Sequence, residues 1–186
     1  MKVKVYGRLS FPDLWRARMQ GEEGEPKFAA NFIIDPKHPC VAEVEAAIKA
    51  AATEKWKDKA KAMLDKLEKE GRLCLHKSAR TNTSGEVYDG YEDHYWIGAN
   101  SKVKPKTKDA NKADLTEADG KLYSGCRVVG IIDIFAHFHP KGGNRVLAQL
   151  KGVQFAGDDE AFGGGAPASD DDFDEIEIPE DAAELV

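Results

Sequence analysis

Four lysines stand two residues apart, at Lys102, Lys104, Lys106 and Lys108. In an extended chain alternate residues project to one side, so these four would form a comb of ammonium groups. Other cations recur through the chain, among them Arg80, Arg127, Arg145 and Lys151. Large rings are interleaved with them: Trp15, Tyr88, Tyr91, Tyr95, Trp96 and Phe135. Cations that follow a phosphodiester track, beside flat rings on which unpaired bases stack, are the equipment of a single-strand binder. On this reading the comb, Arg80, Arg127, Arg145 and Lys151 neutralise phosphates, and Trp15, Tyr91 and Trp96 stack on bases. Each residue also has a plainer role. A lone aromatic is more often core than platform, and a lysine run is often only a solvated loop. Tyr95 and Trp96 are neighbours, so in a strand only one of them faces the core.

The charge is divided along the chain. Of 33 acidic residues, 12 lie in the last 30 positions, which hold no Lys or Arg; the remaining 21 share residues 1–156 with all 27 basic ones. A body of about +6 therefore carries a tail of −12, which the overall −6 conceals. A basic body attracts phosphates, and an acidic tail can compete for the same surface or recruit a partner. The plainer reading is a solubilising tail on any small domain. Within it, Asp170, Asp171, Asp172 and Phe173 begin a run of acids around isolated apolar residues. That pattern suits docking into basic-rimmed apolar pockets on partner proteins.

Other chemistries have weaker support. Cys74 with His76, and His137 with His139, are two-residue pairs lacking the double pairing of a structural zinc site, so no metal is expected. Glu86, Asp89, Glu92 and Asp93 with His94 could converge as in a metal-dependent nuclease, but they alternate with Gly and Tyr in a turn-like stretch. No nucleophile triad or phosphate-binding glycine loop is present, so neither an enzyme nor a cofactor is expected. The three cysteines, Cys40, Cys74 and Cys126, fit buried free thiols in a reducing cytoplasm. No apolar stretch reaches membrane-spanning length, so no membrane partner is expected.

These residues need a scaffold. Lys2–Tyr6 alternates as a half-buried strand, Phe11–Trp15 reads as a turn, and Lys27–Ile34 is a second strand stopped by Asp35-Pro36. Between 41 and 70 the apolar residues recur every three or four positions, predicting one amphipathic helix ended by Gly71. Short strands follow at Arg72–Lys77 and Asp93–Asn100. Two long ones, Cys126–Phe138 and Arg145–Phe155, close the body around the hairpin turn 139–144. Both faces of the first long strand are largely apolar, so its outer face needs cover from the helix, from a second subunit in a homo-oligomer, or from bases. Such a set of strands can close as an antiparallel barrel, of which the OB type is one solution among α+β barrels. The expected division is a folded body over 1–156, with the helical insertion 41–70, and a flexible, disordered Gly-rich linker and acidic tail over 157–186.

At this point the chain resembles a known family, the tailed-phage OB-fold single-stranded DNA-binding proteins, once described only as a domain of unknown function. The resemblance rests on Arg8-Leu9-Ser10-Phe11-Pro12-Asp13-Leu14-Trp15, then Glu25-Pro26-Lys27-Phe28 leading to Ile34-Asp35-Pro36. It continues through Ile97-Gly98-Ala99-Asn100-Ser101-Lys102-Val103-Lys104-Pro105, Leu122-Tyr123-Ser124-Gly125-Cys126 and Leu150-Lys151-Gly152-Val153-Gln154-Phe155. It implies a mainly β fold: a five-stranded OB barrel with one long helical insertion. It further implies binding of single-stranded DNA without catalysis, and work in the bacterial host cytoplasm with phage replication or recombination proteins. The tail resembles those of other single-strand binders, although here Phe173 is internal and the chain ends Glu184-Leu185-Val186. A protein-interaction adaptor and a metal-dependent DNA-processing enzyme are the rival classes.

Overall fold

The computed structural model describes residues 1–19 and 24–163. The expected tail residues Asp170, Asp171, Asp172 and Phe173 lie outside the described residues.

The elements, in chain order, are β1 (Lys2–Arg18), β2 (Lys27–Ile34), α1 (Cys40–Trp56), α2 (Ala60–Lys69), β3 (Leu75–His76), β4 (Tyr95–Ser101), β5 (Lys106–Lys108), β6 (Arg127–His139) and β7 (Gly143–Gly157). The sheet runs β3-β4-β2-β1-β6-β7-β5, and a further parallel pairing of β4 with β7 closes it. The closed ring is thus β1-β2-β4-β7-β6, a five-stranded barrel of OB type. The helices are inserted between its second and third strands.

Alternation fills the barrel. Val3 and Val5 of β1, Phe32 and Ile34 of β2, Ile97 and Ala99 of β4, Ile132 and Ile134 of β6, and Val146, Ala148 and Leu150 of β7 are all buried in one core. Gly130 makes room for the largest of them. A Cβ there would lie 2.5 Å from ring carbons of Phe32 and 2.8 Å from Val5 Cγ2. Two irregularities bend the strands. In β1 the register with β2 shifts between Ser10 and Asp13, where Phe11 takes a positive φ of 46°. In β7 Lys151 is the extra residue between the pairs Ile131↔Gly152 and Ile132↔Leu150.

Three expectations change. The turn foreseen at Phe11–Trp15 is a bulge inside one long strand, because the chain keeps pairing with β2 on both sides of it. The single helix is broken at Lys57, with φ 52°, and resumes at Ala60 after a 3-10 turn. A straight helix over 41–70 would run about 45 Å, too long to keep both ends on a small barrel. The break lets α1 pack on β1 and β6 while α2 folds onto α1 and puts Leu67 into the core. The strand foreseen at Arg72–Lys77 pairs only at Leu75 and His76.

Cys40, Cys74 and Cys126 are free and buried. Burial pushes the Cys74 thiol up to about 12 and that of Cys126 up to about 11, so both stay protonated at neutral pH.

Candidate nucleic-acid interface

The alternation that buries one face of each strand exposes the other. Opposite the core, β4 presents Trp96, Gly98 and Asn100, and β7 presents Arg145, Leu147 and Gln149. The pairing Asn100↔Gln149 joins the two rows, and Phe135 and His137 of β6 stand beside Leu147 and Arg145. Two depressions lie on this face. One, of about 350 Å³, is lined by Arg72, His76, Gly98, Arg145 and Leu147 among others. The other, of about 290 Å³, is lined by Lys27, Asn100, Lys102, Val103, Phe135, Leu147 and Gln149 among others. Leu147 borders both, so they adjoin along this face as a trough in two parts, with Arg72 and Arg145 at one end and Lys27 and Lys102 at the other. Gly98 supplies a floor without a side chain.

A wall of rings continues from the arginine end. The His76 imidazole stacks on Trp96 at 3.9 Å between centroids and 13° between planes. Trp96 Nε1 donates to the Ser78 carbonyl at 3.0 Å, fixing the indole. The Arg80 guanidinium sits 4.4 Å from the Phe11 ring centroid, 5.3 Å from Trp96 and 5.7 Å from Tyr88. The Phe11 and Tyr88 rings meet edge to face at 5.0 Å. The bulge in β1 turns Phe11 outward, leaving it 43% exposed at the far end of this row. Burial, and secondarily the charge of Arg80, lowers the His76 pKa below its ordinary value, so the imidazole is neutral at pH 7.

The expected residues are scattered more widely than one track. Arg80, Trp96, Lys102 and Arg145 belong to the trough and its wall. Tyr91 does not: it is fully buried, and its hydroxyl accepts a hydrogen bond from Asn31 Nδ2 at 3.1 Å, so its ring supports Trp96 from beneath. The comb is not one extended row. Ser101 Oγ accepts the Val103 amide and turns the chain, so only Lys106–Lys108 is strand, along the β7 edge beyond β4. Lys102 is ion-paired with Glu25, Lys104 lies 5.6 Å from the Trp15 ring, and Lys108 is 2.6 Å from Asp114. Lys106 is exposed. Trp15 is partly buried against the core beneath Lys104. Lys151 is the exposed bulge residue of β7. Arg127 binds Asp159 at 2.8 Å, on the β1–β6 side of the barrel.

Sequence reasoning passed over Lys27, Arg72, Asn100 and Gln149, and weighed His76 only as a metal ligand. It noted Phe11 and Tyr88 as aromatics without assigning them to the site. Only Phe11 carried a usable signal, since the Pro12 that follows it has no amide hydrogen for the ladder and marks a bulge.

Three of the groups considered for metal chemistry are engaged in other contacts. His76 is stacked on Trp96, His94 Nδ1 lies 2.6 Å from the Glu92 carbonyl, and Glu86 accepts from Asn82 Nδ2 at 2.9 Å. Among the described residues no three His, Cys, Asp or Glu side chains are grouped to hold an ion. No helix among them is long and apolar enough to cross a membrane.

Known proteins resemble this chain in both sequence and structure. The profile of the family described as "Enterobacter phage Enc34, ssDNA-binding protein" matches residues 1–183. Putative protein p50 of Acyrthosiphon pisum secondary endosymbiont phage 1 is 36% identical over 185 residues, covering 97% of each chain. The solved single-stranded DNA-binding protein from bacteriophage Enc34 in complex with ssDNA superposes with TM-score 0.70 at 20% identity, over 87% of this chain and 89% of that one. The gp2.5 single-stranded DNA-binding protein encoded by bacteriophage T7 superposes with TM-score 0.52 at 14% identity, over 95% of this chain and 96% of that one. At such identities the two structures speak for a shared barrel.

Proposed function

The chain belongs to this family of phage single-stranded DNA-binding proteins, and from that membership we propose that the trough across β4 and β7 is where it holds a single strand, without catalysis and without strong sequence preference. The observation that carries the proposal is the continuity of the site. Cations stand at both ends of a glycine-floored trough, and a wall of fixed rings runs on from it. Unpaired bases can stack against such rings, whereas in a duplex the base faces are already occupied. Asn100 and Gln149 can bond base edges or sugars of any sequence, because each amide both donates and accepts.

Binding is therefore expected to weaken with salt. If Arg72, Arg80, Arg145, Lys27 and Lys102 each neutralise a phosphate, log K falls with log salt at a slope of roughly 0.7 per contact, or about 3.5 in all. Anisotropy of a labelled oligo-dT, titrated over a salt series with duplex DNA as competitor, tests this. Tight binding that duplex fails to displace and that follows such a slope supports the proposal. Absence of binding at low salt overturns it and brings forward an adaptor that meets proteins instead.

The biological setting belongs to the same proposal: a role in phage DNA replication or recombination in the bacterial cytoplasm. The −12 tail would compete with DNA for the cationic face or recruit replication proteins through Asp170, Asp171, Asp172 and Phe173. Deleting 157–186 should raise DNA affinity, most at low salt. Unchanged affinity would leave the tail as a hook for partners or a solubility device.

A further inference from the structure

Arg8 and Arg127 are directly opposed on β1 and β6. Like charges facing each other across strands repel, unless an anion lies between them. Here the anion is Asp159, whose Oδ2 is 2.8 Å from Arg127 Nε and 3.6 Å from Arg8 Nε. Tyr123 completes the grip: its hydroxyl donates to the Asp159 carbonyl at 2.9 Å and accepts the Asp159 amide at 3.0 Å. Three residues on, the Phe162 ring lies against the Arg8 guanidinium, 4.1 Å from its centroid. Arg8 also donates to the Gly125 carbonyl at 2.9 Å and to the Glu160 carbonyl. The seat is shaped for what it holds. A Cβ on Gly90 would lie 2.4 Å from the Phe162 ring, and one on Gly125 would lie 2.3 Å from the Glu160 carbonyl oxygen.

We infer that Arg8, Arg127 and Tyr123 form a nucleotide subsite, which the chain's own Asp159 and Phe162 fill in the free protein. The carboxylate stands where a backbone phosphate would sit between the two arginines. The phenyl ring stands where a base would stack on the Arg8 guanidinium, as bases do on arginine planes. The inference rests on the single-strand reading of the trough and extends its path. Phe162 borders a depression of about 400 Å³ lined also by Ser10, Phe11, Tyr88 and Ser124, and by the carboxylates Glu86 and Asp89. That depression joins the subsite to the Phe11–Arg80–Trp96 wall, so a strand leaving the wall would reach Arg8 next. Occupying the subsite would then lift the strap Asp158–Gly163, from which the acidic tail departs.

The test uses full-length protein in the oligo-dT titration. The double variant Asp159→Asn/Phe162→Ala removes the negative charge and the ring that fill the subsite. Glu160→Gln is the control: it removes one negative charge while leaving the backbone contact of residue 160 to Arg8 in place. With no strap to displace, the double variant should bind several-fold tighter at low salt, and over the salt range in which the wild-type strap stays seated its slope should be steeper by about 1.4, from two further contacts at roughly 0.7 each. Glu160→Gln should leave the slope unchanged. Adding Arg8→Gln and Arg127→Gln to the double variant should restore the wild-type slope. If the strap is only a structural clasp, the double variant melts earlier and keeps the wild-type slope, which overturns the inference while the trough reading stands. If neither wild type nor variant binds oligo-dT, both fail together.

Discussion

Replacing Arg80 separates the two parts it plays. Its guanidinium is 4.4 to 5.7 Å from three ring centroids, at Phe11, Trp96 and Tyr88. Partly exposed cation–π contacts contribute about 0.5–1 kcal/mol, and contacts sharing one cation do not add, so Arg80→Ala should lose about 1 kcal/mol of stability. For a domain of this size that lowers Tm by about 2–4 °C. The effect on DNA should be larger. One phosphate contact disappears, so the salt slope falls by about 0.7. The Phe11 and Trp96 rings also lose the cation between them, and stacking contributes about 1–3 kcal/mol per base. A tenfold weaker Kd for oligo-dT at low salt corresponds to about 1.4 kcal/mol, the lower part of that range. Arg80→Lys tells the terms apart: the ammonium should restore the slope but not the full affinity, since it lacks the planar guanidinium. Anisotropy over a salt series and thermal melting of the same samples provide both readouts. An Arg80→Ala protein that melts early yet binds with wild-type affinity and slope would refute the reasoning and leave Arg80 as a packing residue.

Three further outcomes follow from the geometry. Gly98→Leu should block the trough with a side chain directed outward, lowering oligo-dT affinity at least tenfold with a cooperative melt retained; the nearest atoms to a Cβ there are Asn31 Oδ1 at 3.3 Å and Trp96 Cζ3 at 3.5 Å, close but open to adjustment. Gly130→Ala should do the reverse, leaving the outer face alone but overpacking the barrel against Phe32 and Val5, at about 1–3 kcal/mol in denaturant unfolding. His76 has a pKa lowered first by burial and then by Arg80, so the folded state binds its proton less readily than the unfolded chain. Its contribution to stability is fully present above the unfolded value of about 6.5 and is lost as pH falls through the lower folded value; in that window a fluorescence change of the stacked Trp96 should appear and vanish in His76→Gln.

The barrel strands were legible in the sequence because alternation records burial directly, as in Lys2–Tyr6 and Lys27–Ile34. Binary pattern also revealed the helix, but not its break at Lys57, since three- and four-residue spacing runs through a change of direction unaltered. The site was only half legible. Arg80, Trp96 and Arg145 could be named as the right chemical types, but which of them share a face depends on barrel closure. That closure pairs β4 with β7 across some fifty residues of sequence, and no local pattern encodes it. Tyr91 illustrates the limit. Its type suits a stacking platform, yet the Asn31 hydrogen bond and complete burial make it a support. The Lys comb illustrates the converse: period two holds only while the chain stays extended, and Ser101 ends that by capturing the Val103 amide.

Barrel closure and the proposed binding trough share the same short seam. β4 and β7 meet in only two residue pairs, Ala99↔Ala148 and Asn100↔Gln149. The alanines face inward, where small side chains let two curved strands approach; both are buried. Asn100 and Gln149 face outward onto the trough. Beyond the seam β7 bulges at Lys151 and takes β5 as its next neighbour, so its pairing changes partner beside the trough. A strand that switches neighbours while bulging cannot present a flat, continuous face, and a depression opens where the two pairings part. The trough therefore follows from how this barrel closes. The chemistry added to it consists of a glycine floor, two amides and cations at the ends. On the proposed reading, inward changes at the seam should act on the fold and outward ones on DNA binding, although the residues concerned are adjacent in sequence.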